Sequence, residues 1–281
     1  MKKILVAIDF SPASGNAYEY ALWLSIETGA SLNVLYVNTA TEAEETVSEK
    51  QRQAMVRREN EAYRERLRRF TMNYPHYGPH ETLTKALPEA YLVANGGISS
   101  AIAATARDIG AGLLVVGGHA NHQLRDYLFG SVTTHLIGKI PCPALLVPEE
   151  VNYKRPKTIA LAVEGGLKEA GTPPSLKNLA RELGAKIEAF NVDMLPEGGG
   201  HPGGTLQQSG GVGGTTTVHN ESVRSGIQYY LAQNPADWLA LYLPRRTFPE
   251  RLLHGRLARH LVWNSSLPLL LVPEREDAEA Q

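Results

Sequence analysis

The chain has 281 residues, a formal net charge of −1, and 43% apolar against 20% charged residues. That length suits two domains of ordinary size, and the near-zero charge excludes a bulk electrostatic drive toward nucleic acid or a membrane surface. A single cysteine, Cys142, excludes an intramolecular disulfide and a thiolate metal cluster, and fits a reducing cytoplasm.

The first predicted element is a strand over 3–9. Its apolar run stops at Asp9, too short for a signal-peptide core. No later run approaches the ~18 apolar residues of a membrane helix. A helix follows over 13–28, then a strand over 31–37. The charged stretch over 43–71 reads as a long helix. There Lys50, Arg52, Arg57, Arg58, Arg64, Arg66, Arg68 and Arg69 alternate with Glu44, Glu45, Glu49, Glu59, Glu61 and Glu65. Opposite charges three or four apart stabilise a solvent-facing helix, whereas a nucleic-acid face needs one sign. Strands over 90–94, 112–117 and 143–147 alternate with helices over 98–109 and 131–139. Leu113-Leu-Val-Val116 is apolar on both faces and predicts a buried central strand. Alternating strands and helices imply a parallel sheet covered on both sides.

The same order then repeats. Residues 4–37 align without a gap with 159–192, and 93–148 with 218–273. Pro143-Ala-Leu-Leu-Val-Pro148 matches Pro268-Leu-Leu-Leu-Val-Pro273, and Asn95, Gly130 and His135 recur as Asn220, Gly255 and His260. The expected domains are 1–150 and 151–281. Where the first copy has its charged helix, the second has the Gly-rich stretch 196–214. Such a stretch loses too much backbone entropy on ordering to hold a helix, so it reads as a mobile loop.

In open parallel sheets, ligands bind beyond the carboxyl ends of the strands, where strand order reverses. Beyond the fourth strand come Gly117-Gly-His119-Ala120, nine residues, and then Gly130-Ser131-Val132-Thr133. Gly117 permits close backbone approach. Gly130-Ser131 opens a helix, where free N–H groups and the helix dipole favour an anion. Ser131 and Thr133 add hydroxyls. His119, His122, His135, His76 and His80 lack the convergent partners of a zinc site, and no nucleophile elbow precedes Ser131.

These residues resemble the universal stress protein family. Its ATP-binding members carry Gly-x-x-Gly, nine residues, then Gly-Ser/Thr at this place. They also have an aspartate ending the first strand and a Pro-Cys-Pro-like entry to the fifth. Here those features are Asp9, Gly117, Gly130-Ser131 and Pro141-Cys142-Pro143, with Ala120 in place of the second glycine. The resemblance implies an α/β fold of two Rossmann-like (HUP-type) domains, each a five-stranded parallel sheet flanked by helices. It implies that Asp9 holds the ribose or adenine side, and Ala7 and Val37 the adenine through backbone contacts. Gly117, His119, Ala120, Gly130, Ser131, Val132 and Thr133 would line the ribose and phosphates. ATP, ADP and AMP are all open as the ligand, and no metal is expected.

The second copy keeps Gly255 but has Tyr242, Pro244, Arg245 and Arg256 at the places of Gly117, His119, Ala120 and Ser131, and Glu164 at that of Asp9. Its expected role is structural. By the same resemblance the strands 143–147 and 268–272 would meet as an intrachain pseudo-dimer, with a homodimer of chains left open. Three functions follow: a cytoplasmic stress-response protein with a regulatory adenine nucleotide, a non-nucleotide scaffold, or a slow ATPase. For the last, Asp9 is the only evident acid–base candidate.

Overall fold

A computed structural model of the chain describes residues 1–39, 48–73, 88–118, 139–163, 171–194, 205–208, 216–243 and 267–274. It divides into two compact units, Met1–Tyr153 and Lys154–Gln281.

In the first unit five strands form a parallel sheet: β1 (Lys3–Ile8), β2 (Ser31–Asn38), β3 (Ala90–Asn95), β4 (Leu113–Gly118) and β5 (Ala144–Pro148). Their spatial order is β3-β2-β1-β4-β5. The chain therefore reverses direction across the sheet between β1 and β4. Ile4, Leu5, Val6, Leu113, Leu114 and Val115 are fully buried, because both faces of these central strands are covered.

Helix α1 (Pro12–Thr28) lies over β1, β4 and β5. Ser11 caps its start by accepting the Ser14 N–H at 3.2 Å, and Pro12 suits the first turn. Gly29, at φ 68°, ends it in the left-handed conformation that a Cβ disfavours. Small residues, Ala13, Ser14, Gly15, Ala17 and Ala21, let it approach the sheet closely. Asn16 donates to the carbonyls of Pro148 (2.9 Å) and Val151 (3.0 Å), tying the helix to the segment after β5.

Helix α2 (Glu49–Met72) starts later than the charge pattern suggests, and residues 40–47 lie outside the described set. The Gln51 amide oxygen accepts from the Ser48 N–H at 3.3 Å. Only Leu67 and Thr71 are buried in it. The expected charge pairing is present on its outer side: Arg64 to Glu61 at 2.9 Å, Arg69 to Glu65 at 3.0 Å, and Arg52 to Glu49. Helix α3 (Ile98–Asp108) contacts β2 and β3. The helix expected over 131–139 falls almost wholly outside the described residues.

The second unit repeats the plan. Its strands are β6 (Thr158–Val163), β7 (Lys186–Met194), β8 (Thr205–Gln208), β9 (Thr216–Asn220), β10 (Trp238–Leu243) and β11 (Leu269–Pro273). The five parallel strands run β11-β10-β6-β7-β9, the same order as in the first unit. Helices α4 (Pro174–Leu183) and α5 (Val223–Gln233) accompany them. Gly226 lets α5 lie against β7, since a Cβ there would come within 2.4 Å of Val192 Cγ1. Beside it Phe190 and Tyr230 stack with ring centroids 3.8 Å apart.

One finding departs from the expected plan. The second sheet has a sixth strand, β8, antiparallel to β9. It lies inside the stretch 196–214, which the glycines alone mark as a loop. Leu206 pairs with the buried Val218, and Gln207 Oε1 lies 3.3 Å from His219 Nε2. A short strand needs only a partner edge, and β9 supplies it.

Candidate functional site at the carboxyl ends of β1, β2 and β4

Four of the ten residues singled out in the sequence fall on described backbone: Ala7, Asp9, Val37 and Gly117. They lie together at the carboxyl edge of the first sheet. Ala7 is in register with Leu35 on one side and Val116 on the other. Asp9 follows β1 directly and is exposed. Val37 pairs with Ala94, and Gly117 pairs with Val147. The reversal of strand order between β1 and β4 opens this edge as the place for a ligand. His119, Ala120, Gly130, Ser131, Val132 and Thr133 lie outside the described residues, as does Glu164.

Two of the four have structural work as well. Asp9 Oδ1 accepts from the Ser11 N–H at 2.9 Å and from its hydroxyl at 2.5 Å. The carboxylate thus holds the turn that starts α1. Gly117 is explained by helix packing. A Cβ on it would lie 2.4 Å from the Ala13 carbonyl oxygen and 2.8 Å from the Ser14 nitrogen, both backbone atoms that cannot swing aside. Sequence reading attributes this glycine to ligand approach; in the structure α1 also approaches it closely.

Sequence reasoning misses the residue between them. Phe10 has φ 66°, left-handed for a bulky side chain, a conformation that costs about 1–2 kcal/mol. Its ring is clamped: Tyr36 at 4.9 Å, Phe70 at 5.5 Å edge-on, and the Arg66 guanidinium 3.9 Å above. Tyr36 in turn lies 4.4 Å from Tyr63. The available signal is the spacing Tyr63, Arg66, Leu67, Phe70, which puts one stripe of α2 on the sheet side. Burial pushes the Tyr36 phenol up, helped by its hydrogen bond to Tyr63, by the Tyr63 charge and by Asp9, while Arg66 pulls it down. Asp9, Tyr36, Tyr63 and Arg66 therefore share one electrostatic neighbourhood. Deeper under α2, burial raises the Tyr18 phenol well above its usual range, and Thr71 Oγ1 lies 3.1 Å from the Tyr91 hydroxyl.

The equivalent edge of the second unit is built differently. Gly29 and Gly184 hold matching repeat positions, both at φ 68°, so α1 and α4 stop at the same place. Yet α1 has 17 residues and α4 only 10, and the difference is all at the start. Tyr242 stands where β4 has Gly117 and pairs with Val272. Since even a Cβ at Gly117 collides with the start of α1, a tyrosine at that place in the first unit would not fit. Burial raises the Tyr242 phenol, and Glu274 adds to it as neighbouring charge and as hydrogen-bond acceptor.

Among the described residues no three His, Cys, Asp or Glu side chains converge as a metal site, and no helix is long and apolar enough to cross a membrane.

The model of the universal stress protein family matches residues 1–148. Solved structures reproduce the fold over nearly the whole chain. A universal stress protein from Archaeoglobus fulgidus is 12% identical, with TM-score 0.60 over 96% of this chain and 98% of its own. Two proteins of Pseudomonas aeruginosa give TM-scores of 0.53 and 0.51 at 15% and 12% identity, covering 97% of this chain and 93% and 92% of theirs. A search of curated proteins gives no significant match. With its family model spanning more than half its length and its parallel sheet order common to both units, the chain belongs to the universal stress protein family.

Proposed function

We propose that the chain is a cytoplasmic stress-response protein whose first unit binds an adenine nucleotide as a regulatory ligand, the second unit being its structural partner. The observation that carries this is the grouping of Ala7, Asp9, Val37 and Gly117 at the carboxyl edge where strand order reverses. On this reading the backbone of Ala7 and Val37 meets the adenine and Asp9 meets the ribose. Gly117, His119, Ala120, Gly130, Ser131, Val132 and Thr133 serve the ribose and phosphates. Calorimetry with AMP, ADP, ATP and cyclic AMP on the whole protein tests it, and absence of binding to all four at millimolar ligand sinks it. Asp9→Ala is expected to weaken binding about tenfold, the worth of one hydrogen bond to a charged group.

A second reading, a scaffold that binds no nucleotide, is favoured by one observation. Asp9 and Gly117 both have structural roles at the start of α1. Protein purified without added ligand separates the two readings by its absorbance: nucleotide carried through purification supports the first, and tight partner capture without it the second.

A further inference from the structure

The arginines of α2 divide into two kinds. Arg52, Arg64, Arg68 and Arg69 each face a glutamate on the same helix. Arg57, Arg58 and Arg66 pair with no carboxylate among the described residues, and of these three Arg66 alone stacks on an aromatic ring. Its guanidinium lies over the Phe10 ring at 3.9 Å. Stacking of that kind fixes the plane of the group and leaves its N–H edge available, which is the arrangement arginine uses to recognise phosphate. Beside it the Tyr36 and Tyr63 rings are 4.4 Å apart and their hydroxyls are bonded to each other. Phenols donate readily to phosphate oxygens.

The location adds a second constraint. Phe10 follows Asp9, the residue assigned to the ribose, directly in the chain, and Tyr36 stacks against Phe10 at 4.9 Å. In open α/β sheets an acidic residue at the end of the second strand meets a ribose hydroxyl, and an arginine nearby accommodates a phosphate on that hydroxyl; Asp9, at the end of the first strand, offers the same pairing of carboxylate and arginine. Asp9 and Arg66 both act on the Tyr36 phenol, in opposite senses.

We propose that Arg66, with the hydroxyls of Tyr36 and Tyr63, forms a phosphate subsite on the ribose side of the first unit's site. The ligand is then an adenine nucleotide carrying a second phosphate on its ribose. This rests on the nucleotide reading above and names the ligand class more narrowly.

The test is calorimetry on the whole protein with 5′-ADP, adenosine 3′,5′-bisphosphate and adenosine 2′,5′-bisphosphate. All three carry two phosphates, and the two bisphosphates carry the same charge as each other, so bulk charge does not separate those two. One bisphosphate is expected to bind at least tenfold tighter than both the other bisphosphate and 5′-ADP. Arg66→Met keeps an apolar stem on Phe10 and removes the charge. It should abolish that preference while leaving 5′-ADP affinity within about twofold. Arg66→Lys should restore only part of it, and Tyr36→Phe should reduce it several-fold. Thermal unfolding of each variant checks that the clamp still folds. Binding of 5′-ADP with no preference for either bisphosphate overturns the subsite alone. So does an Arg66→Met loss equal for all three ligands. Absence of binding for all three overturns both the subsite and the reading beneath it.

Discussion

Gly117 and Phe10 show opposite uses of backbone freedom within one short stretch of structure. At Gly117 the missing Cβ makes room for the α1 backbone. Gly117→Ala is expected to cost about 1–3 kcal/mol as an overpacked contact, measured by urea denaturation. At Phe10 a large side chain is kept in spite of a left-handed φ, because three neighbours hold its ring. Phe10→Ala keeps the backbone strain and loses the ring, for about 2–3 kcal/mol at a half-buried site. Phe10→Gly loses the same ring but relieves the strain. It should be the milder change by about 1 kcal/mol, reversing the usual order of alanine over glycine. Asp9 and Gly117 are visible in the sequence as punctuation, although their structural duties are not. Phe10 is invisible, since an aromatic residue carries no signal for positive φ. Arg66 is hidden among seven like-charged neighbours on its helix, and only its contact with Phe10 distinguishes it.

Among the elements, strands β1, β4, β5, β6, β10 and β11 are legible because they are apolar on both faces and recur at fixed spacing. Strand β8 is not: Thr205-Leu-Gln-Gln208 has no period and stands among glycines, and its strand form comes from pairing with β9, a non-local partner. The start of α4 is local by contrast: Gly171 at φ 63° and Pro173 precede it, and Pro174 opens its first turn. A different element junction gives a pH-dependent outcome. Asp237, at the start of β10, accepts from the Lys157 N–H at 2.7 Å, the Thr158 N–H at 3.0 Å and Lys154 Nζ at 3.1 Å. Burial works to raise its pKa, but these amides and the ammonium outweigh it and the carboxyl is held below its usual range. A folded pKa below the unfolded one gives stabilisation that is present above about pH 4 and lost as pH falls through the folded value. Asp237→Asn should therefore lower stability at neutral pH and flatten its decline on acidification, followed by circular dichroism of the second unit's transition.

At the scale of the whole molecule, two units share a strand order and differ at the edge where a ligand is expected. The first has a full-length α1 over Gly117; the second has a short α4 and Tyr242. Binding is therefore expected at one nucleotide per chain, read as the calorimetric stoichiometry, and two per chain would refute the division of roles. Asp9→Ala should then shift the whole isotherm to about tenfold weaker affinity, with no unshifted second site left behind.

The pairing of Gly117 with an early helix start has a historical consequence. Tyr242→Gly in the second unit would leave α4 starting at Pro174, because Gly171 at φ 63° and Pro173 still precede it. Recovering the first unit's arrangement therefore takes changes at two separate places, the strand end and the helix start. The strand order survives both changes, so the second unit keeps the plan of the sheet while the edge beyond β10 is free to diverge.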